Sequence, residues 1–221
     1  MKIYDCEQRS EEWFALRLGK ITGTSFQTMA NGKPKTIEAL CNKAVTEIRT
    51  GCPAETPYTN GAMENGIITE AMAREAYEAD QLTHVTQVGF LELDEFIGCS
   101  PDGLVGEDGG VEIKCPKATT HNRYLDTEPG KAHRDSYYRW QIQGALWITN
   151  RKWWDFVSFC EQFPYDLQLL IERVYPDPKC FEKLESGAEY CRAKIKEMLA
   201  KKPITKRRLD GANDIQSTIN N

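Results

Sequence analysis

The sequence predicts one α/β domain, in which helices flank a mixed central β-sheet and a further helix lies at the C-terminal end. Apolar residues follow a helical period in the N-terminal part of the chain, and then form short runs bounded by turn residues. Helix and strand patterns alternate from there onwards, as in domains whose helices cover a sheet. A chain of 221 residues, 40% of them hydrophobic, is long enough for one sizeable core.

Capping residues mark the ends of the predicted helices. Ser10 before two glutamates predicts the start of the first helix, and Gly19 predicts its end. The last helix has Asp177 as its cap and Pro178 at its first position, and it stops at Pro203. The predicted helices cover about 11–19, 22–32, 37–50, 62–79, 136–148 and 178–202.

Short strands are predicted where the apolar period changes. They cover about 85–93, 96–100, 111–115, 153–160 and 167–174. We expect residues 1–203 to form a single domain, with the informative motifs within 11–149 and the last strands and helix within 153–202. Residues 204–221 are polar enough to be a loose tail.

Composition excludes several classes of protein. No stretch approaches the roughly 18 apolar residues of a membrane span, and the first residues lack the apolar run of a signal peptide. We therefore expect a cytoplasmic protein without a membrane partner. The eight cysteines form no C-x-x-C pair and the three histidines lack zinc-ligand spacing, so the thiols should be reduced and mostly buried.

A net charge of -5 means that any nucleic acid must be bound by a local basic patch. Two basic runs are candidates. The run from Arg192 to Arg208 is typical of the solvated face of a final helix. The other is interleaved with aromatic residues such as Tyr138 and is the better candidate for binding phosphates. Its cations are Lys114, Lys117, Arg123, Lys131, Arg134 and Arg139.

The most informative motif combines two acids and a lysine. Asp102, in Ser-Pro-Asp-Gly-Leu, is predicted at the end of one strand, and Glu112 and Lys114 lie on the next. Residues two apart on a strand share a face, so two carboxylates and an ammonium converge, which suits Mg²⁺ and a water held by the lysine. The alternative is an ordinary cross-strand ion pair on a solvent-exposed face.

Two helical positions carry polar residues among inward-facing neighbours. Glu70 shares a stripe with Ala73 and Tyr77. If it faces the sheet it needs a partner, because burying an unpaired carboxylate costs several kcal/mol, and a cation shared with Asp102 would supply one. It could also lie at the edge of the stripe. Gln141 also lies on an inward-facing helical stripe. Its side chain either hydrogen-bonds the backbone or contacts a ligand.

Five segments in this order resemble the phage lambda-type exonuclease family, which includes alkaline exonucleases and YqaJ-like viral recombinases. The resemblance covers about Glu11 to Thr149 and implies a restriction-endonuclease-like core whose site combines Asp with Glu-x-Lys. The segments are Trp13 to Thr22, Gly66 to Tyr77, Ser100 to Leu104, Glu112 to Pro116 and Gln141 to Trp147.

The resemblance implies a Mg²⁺-dependent site. Glu70, Asp102, Glu112 and the backbone carbonyl of Ile113 would bind the metal, and Lys114 would position or deprotonate the attacking water. Two ions per site are expected, with Mn²⁺ able to substitute, although the sequence itself does not distinguish one ion from two.

The resemblance also implies ligands for DNA with a 5′-phosphate. Arg17 offers a planar fork to phosphate oxygens, although it could instead cap its own helix. Thr24 is favoured over Ser25 as the hydroxyl after Ile21. Lys117, His121 or Arg123 would contact phosphate where the family tends to have an arginine after its Cys-Pro. The implied DNA-binding residues are Arg17, Thr24, Ser25, Ser100, Gln141, Tyr138, Lys117 and Arg123.

The function implied by the resemblance is a 5′-to-3′ double-stranded DNA exonuclease that leaves 3′ single-stranded overhangs and 5′-mononucleotides for recombination. Its expected partners are 5′-phosphorylated duplex ends, two further copies in a homotrimeric ring, and a phage single-strand annealing protein, in a bacterial host cell. Two alternatives are a Cas4-like or restriction-type nuclease and a DNA-end-binding module without catalysis. The first lacks support from clustered cysteines, and the second would be favoured by loss of an acid or the lysine.

Overall fold

The structure is a computed structural model that describes residues 1–54, 61–134 and 136–202. Its centre is a mixed five-stranded sheet with helices packed on it, which confirms the predicted fold class. The polar tail predicted at 204–221 lies outside the described residues. The described strands are β1 (Lys2–Tyr4), β2 (Val85–Thr86), β3 (Phe90–Glu92), β4 (Gly98–Cys99), β5 (Gly103–Val105), β6 (Gly109–Lys114), β7 (Trp153–Phe159) and β8 (Leu169–Val174).

Helices form at the places where the sequence carries caps. Ser10 Oγ accepts a 3.2 Å hydrogen bond from the Trp13 backbone N–H, and Asp177 accepts one of 3.0 Å from Lys179. Gly19 has φ of +72°, a conformation that glycine adopts without strain. The described helices are α1 (Glu11–Arg17), α2 (Phe26–Asn31), α3 (Pro34–Thr50), α4 (Gly61–Gln81), α5 (Ala118–Leu125), α6 (Ser136–Thr149) and α7 (Pro178–Lys201).

Strand β6 occupies the middle of the main sheet. The strand order is β2-β5-β6-β7-β8. β6 pairs antiparallel with β5 and parallel with β7, so that Lys114 lies opposite Ser158. A parallel pair needs a long crossover, and α5 and α6 lie within it. With a neighbour on each side, β6 is buried along almost its whole length.

A second, three-stranded sheet has the order β1-β3-β4. An isolated parallel bridge between Ile21 and Ile97 extends it towards the segment after α1. This small sheet brings the end of α1 close to the Ser100-Pro101-Asp102 turn.

The short strands differ most from the prediction. The strand predicted at 85–93 is two strands, β2 and β3, which belong to different sheets. The sequence also does not predict β1, β5 or α5. Strands of two or three residues carry too little periodicity to be recognised, and they form here because long-range pairing places them.

The hydrophobic core has two layers, one on each face of the main sheet. On one face, Trp154 and Phe156 pack with residues of α6 and α7, including Leu146 and Leu184. On the other face, Val111, Ile113 and Val157 pack against Ala73 and Tyr77 of α4. The helix that carries Glu70 is therefore fixed to the same strand that carries Glu112.

A buried polar cluster attaches α4 to the sheet. The Asp155 side chain is 0% exposed and accepts a 2.8 Å hydrogen bond from the Tyr77 hydroxyl. Arg173 donates two bonds of 2.9 Å to the same carboxylate, which satisfies the buried charge. Because Glu70 lies two helical turns before Tyr77, this cluster also fixes the position of Glu70.

The state of the cysteines fits the expectation from composition. All eight cysteines are free thiols, and Cys41, Cys99, Cys160, Cys180 and Cys191 are buried.

Within the described part of the chain, no helix is both long enough and apolar enough to cross a membrane.

Gly144 permits the close approach of α6 and α2. A Cβ atom at this position would lie 2.0 Å from Cδ2 of Phe26. Although alanine favours a helix over glycine by about 1 kcal/mol, we expect Gly144→Ala to lower the free energy of unfolding by roughly 1–3 kcal/mol, because the core is overpacked. Urea denaturation measures this change. Phe26→Leu should reduce the cost of Gly144→Ala, and strict additivity of the two changes would contradict the predicted clash.

Candidate active site

The candidate active site is built on the β5–β6 hairpin. Asp102 Oδ2 accepts a 2.6 Å hydrogen bond from the backbone N–H of Ile113. This bond holds the carboxylate beside the C-terminal half of β6. Asp102 lies directly before β5, whereas the sequence predicted it at the end of the preceding strand. That strand stops earlier because Pro101 lacks the N–H that a strand ladder needs.

Glu112 and Lys114 leave the same face of β6, as predicted. Lys114 Nζ lies 2.6 Å from Oε1 of Glu112 and 3.9 Å from Oδ2 of Asp102. The Glu112 side chain is only 6% exposed. The alternative of a solvent-exposed ion pair on this face is therefore wrong.

Glu70 brings a third carboxylate from α4. It is half-buried and lines one cavity together with Asp102, so it lies close to the hairpin. Burial raises the pKa of Glu70, and the nearby charge of Asp102 raises it further. Burial also raises the pKa of Glu112, to about 7, with added contributions from Asp102 and Glu70 that Lys114 opposes. Three carboxylates therefore share one electrostatic environment.

The donor atoms suit an oxygen-preferring cation. Glu70, Asp102 and Glu112 offer hard carboxylate oxygens, and a divalent ion would relieve the repulsion that raises two of their pKa values. In the described residues, no group of three Asp, Glu, His or Cys side chains is close enough to form a complete metal cluster. The Lys114 ammonium instead lies near the two hairpin carboxylates. The residue types fit Mg²⁺, and binding would require the side chains to rearrange.

Arg17 lies at the centre of a second polar group. Its Nη1 donates to Ser100 Oγ at 3.2 Å and its Nη2 donates to Thr22 Oγ1 at 3.3 Å. The guanidinium lies 4.1 Å from the centre of the Trp13 ring, and Trp13 Nε1 donates to Ser100 at 2.8 Å. These contacts hold the arginine in one orientation, and they are not those of a cap on its own helix.

Comparison with known protein families gives one match. A family model for the YqaJ-like viral recombinase domain matches residues 12–152, which include the hairpin, Glu70 and Arg17. The chain belongs to that family. Among curated proteins, none matches this chain.

Solved structures of exonucleases resemble this recombinase-family fold. The alkaline exonuclease LHK-Exo from Laribacter hongkongensis is 31% identical, with a TM-score of 0.71 over 87% of this chain and 97% of that one. The same enzyme in complex with dAMP gives 32% identity and a TM-score of 0.73 over the same shares. A phage-related exonuclease from Haemophilus somnus, 14% identical over 82% of this chain and 96% of that one, shares the fold with a TM-score of 0.66.

The turn after Ile21 brings the predicted hydroxyls of Thr24 and Ser25 into one cavity with Arg17. Thr24 and Ser25 line a cavity of about 210 Å³ together with Arg17 and Lys43. The hydroxyl that accepts from Arg17, however, belongs to Thr22. Sequence reasoning missed Thr22 because only its position directly after Ile21 could have indicated it. Thr24 and Ser25 stay predictions as phosphate ligands.

Two residues of α6 lie at the site. A Cβ atom on Gly23 would be 3.9 Å from Nε2 of Gln141, so this amide covers the turn that carries Thr24. Tyr138 lies with its ring centre 5.4 Å from Lys114 Nζ and stacks on Phe156. Gln141 and Tyr138 therefore flank the predicted phosphate and metal groups, respectively.

The basic residues that follow β6 lie in different environments. His121 is wrong as a phosphate ligand, because it is fully buried and its ring nitrogens contact Ser158 Oγ and the Leu167 carbonyl, each at 2.8 Å. Lys117 and Arg123 are exposed at either end of α5. Both stay predictions. In α7, Lys196 and Lys201 are exposed, as expected of a solvated face, whereas Arg192 is half-buried and pairs with Asp94 and Glu185.

Sequence reasoning missed two arginines beside Glu70. Arg9 and Arg74 line a cavity of about 580 Å³ with Glu70 and Asp102, and their charges lower the pKa of Glu70, against the effect of burial. Arg9 has a positive φ of 74°, held between Gln8, which donates to the Val88 and Pro101 carbonyls, and the Ser10 cap. Arg9 also precedes the family match.

The pKa of Glu112 predicts a pH effect on stability. Its folded-state pKa of about 7 exceeds the ordinary 4.5, so its contribution to stability is present below pH 4.5 and is lost as pH rises through 7. Glu112→Gln keeps an acceptor for Lys114 and does not titrate. In chelator, we expect this variant to gain stability relative to the natural protein from pH 5 to pH 8, by up to about 3 kcal/mol.

Urea denaturation at the two pH values measures this difference. Glu95→Gln, at an exposed position, is the control and should show no comparable change. If the difference in the free energy of unfolding between Glu112→Gln and the natural protein did not vary with pH, this would contradict the idea that burial raises the pKa of Glu112.

Proposed function

We propose that this protein, a nuclease of the viral recombinase family, is a Mg²⁺-dependent 5′-to-3′ exonuclease of duplex DNA. It would leave 3′ single-stranded overhangs for recombination and release 5′-mononucleotides. The observation that carries the proposal is the Ser100-Pro101-Asp102 turn. Ser100 bonds Arg17 and Asp102 bonds the strand of Glu112, so one turn joins the proposed phosphate ligands to the proposed metal ligands.

The carboxylates define the metal ligands of the proposal. Glu70, Asp102, Glu112 and the Ile113 carbonyl would hold the metal, as one or two ions of Mg²⁺ or Mn²⁺. When bound, the metal supplies positive charge at the scissile phosphate and the leaving oxygen. The chain provides the position of these groups on a buried strand and a fixed helix.

Lys114 is proposed to hold the attacking water. Burial lowers the pKa of its ammonium, but Glu112 and Asp102 raise it more, so it lies above its ordinary value. A protonated lysine donates hydrogen bonds and does not accept a proton at neutral pH. Its role is therefore to orient the water and offset negative charge, with Glu112 accepting from it at 2.6 Å.

Arg17 and Ser100 are proposed to bind the terminal 5′-phosphate. The guanidinium is held by Ser100, Thr22 and the Trp13 ring. Its fixed orientation lowers the entropy cost of binding a phosphate. Gln141, Thr24 and Ser25 lie around the same turn.

Digestion of three substrates tests the activity. With Mg²⁺, we expect linear duplexes with a 5′-phosphate to be degraded faster than those with a 5′-hydroxyl, and closed circles to survive. Cutting of circles would instead favour a restriction-type nuclease. Binding of ends without any digestion would favour the non-catalytic module.

Lys114→Ala should abolish cleavage while DNA binding stays measurable. Loss of a positioned catalytic group lowers rates by about 10²–10⁴-fold. Single-turnover hydrolysis and a binding titration in Ca²⁺ measure the two properties separately. Lys152→Ala removes the same charge at an exposed position and is the control. Equal loss of cleavage and binding in Lys114→Ala would contradict the proposed role.

Arg17→Lys should reduce the preference for a 5′-phosphate. Lysine keeps the charge but loses the fork that spans Ser100 and Thr22, so we expect a drop of about tenfold or more in the 5′-phosphate to 5′-hydroxyl rate ratio. Initial rates on paired substrates give this ratio. An unchanged ratio with a lower overall rate would assign Arg17 to the fold instead.

The assembly of the proposal is a homotrimeric ring working beside a phage single-strand annealing protein. A ring would let an acidic chain stay on DNA without a broad basic surface. Sedimentation of a clean monomer at working concentration would remove this part of the proposal.

A further inference from the structure

A third cavity lies beside β8, which is the last strand in the order of the described main sheet, and it shares no lining residue with the two cavities near the active site. Its volume is about 430 Å³. Val174 of β8 lies opposite Trp154, whereas Leu170 lies opposite Ser158, the neighbour of Lys114. The cavity is therefore about 14 Å along the strand from the level of the active site.

The described lining of this cavity, which we call the β8 cavity, contains three arginines whose charge is partly offset by ion pairs: Arg173 pairs with Asp155 and Arg139 pairs with Asp177. Arg134, Arg139 and Arg173 line it, whereas Asp177 is the one carboxylate in its described lining. His133 adds an imidazole. Binding of an anionic ligand would therefore use the guanidinium N–H donors that these ion pairs leave exposed.

Two of these arginines are held in place with part of the guanidinium exposed. Arg173 donates two bonds to buried Asp155 and lies 3.7 Å from the centre of the Trp153 ring, yet its side chain is 41% exposed. Arg139 donates to Asp177 at 2.8 Å and is also 41% exposed. Each keeps further N–H donors, so little entropy is lost when a phosphate binds.

The wall that carries Arg134 is also fixed. Glu172 accepts from the backbone N–H groups of Gly130, Ala132 and His133 at 2.9, 3.1 and 3.0 Å. Burial raises the pKa of Glu172, but these bonds and the His133 ring lower it more, to about 2. The carboxylate is thus charged at neutral pH and anchors the segment before α6.

An exposed aromatic ring completes the β8 cavity. Tyr175 is 64% exposed and lines the cavity beside Arg173. Arginines that contact phosphates and an aromatic ring on which a base can stack are the combination that binds single-stranded nucleic acid. In a duplex the base faces are already stacked, so a single strand is the better match.

We propose that the β8 cavity binds single-stranded DNA, with phosphates on Arg134, Arg139 and Arg173 and a base on Tyr175. The source of that strand rests on the proposed exonuclease function, which leaves a 3′ single strand as its product. Binding at the β8 cavity would draw this strand away from the active site.

Fluorescence anisotropy in chelator tests the proposal on the whole protein. The probe is a 5′-hydroxyl oligothymidine, and a closed dumbbell duplex without ends is the comparison. We expect Arg134→Ala with Arg139→Ala to weaken single-strand binding about tenfold and to make the salt dependence shallower by about 0.7 in log–log slope per lost contact. Lys201→Ala, at the opposite end of α7 about 36 Å away, should bind as the natural protein does.

Tyr175 provides a test that does not depend on the ion pair of Arg139. Tyr175→Ala should weaken single-strand binding about fivefold or more, and Tyr175→Phe, which keeps the ring, should restore it. Unchanged binding in Tyr175→Ala and the double arginine variant would overturn the proposal. If these variants lost binding to the dumbbell and to the single strand equally, this would also overturn the proposal, because the β8 cavity would then bind the phosphates of any DNA.

Digestion assays separate this proposal from the exonuclease function. The first cleavage on a short 5′-phosphorylated duplex should proceed at the same rate in the β8 cavity variants and the natural protein. If the natural protein digested no duplex, the proposed function would fail while single-strand binding could still be measured. If digestion occurred and the natural protein did not bind oligothymidine, only the β8 cavity proposal would fail.

Discussion

The structure depends on a charged pair placed on a buried strand at the centre of its main sheet. Glu112 and Lys114 lie on β6, which has a neighbouring strand on each side and helices on both faces. Burying such charges costs several kcal/mol unless each is paired and hydrogen-bonded. The surrounding elements supply this compensation: Lys114 bonds Glu112, Asp102 fixes the strand from across the hairpin, and Tyr138 covers the ammonium. The same groups that offset the cost are those that the proposed chemistry uses.

Much of the fold follows from local signals in the sequence. The helices that begin at Ser10 and Asp177 have side-chain caps, and Gly51 ends α3 in the left-handed conformation. The long strands β7 and β8 have enough apolar residues to be recognised. Part of the site also follows, because spacing alone places Glu112 and Lys114 on one face of a strand and places Glu70 on one helical stripe with Ala73 and Tyr77.

The remainder depends on partners that are distant in sequence. β1 pairs with β3 nearly ninety residues away, and no local pattern in three residues encodes that pairing. His121 has the position of a phosphate ligand, but Ser158 and the Leu167 carbonyl bury it. Arg9 and the β8 cavity were not predicted as sites for the same reason, since their neighbours come from separate elements. Sequence reasoning is therefore strongest where the signal is local and weakest where tertiary contacts choose a side chain's role.

The Ser100-Pro101-Asp102 turn has a consequence for how far the DNA moves in each cycle. Ser100 belongs to the proposed 5′-phosphate group and Asp102 to the proposed metal group, and two residues of chain span at most about 7 Å. Proline in the middle restricts the backbone, and Gln8 donates to its carbonyl at 2.8 Å. Under the proposed function this turn acts as a spacer of fixed length. It sets a fixed separation between the end of the strand and the bond to be cut, and so it limits each catalytic step to one nucleotide.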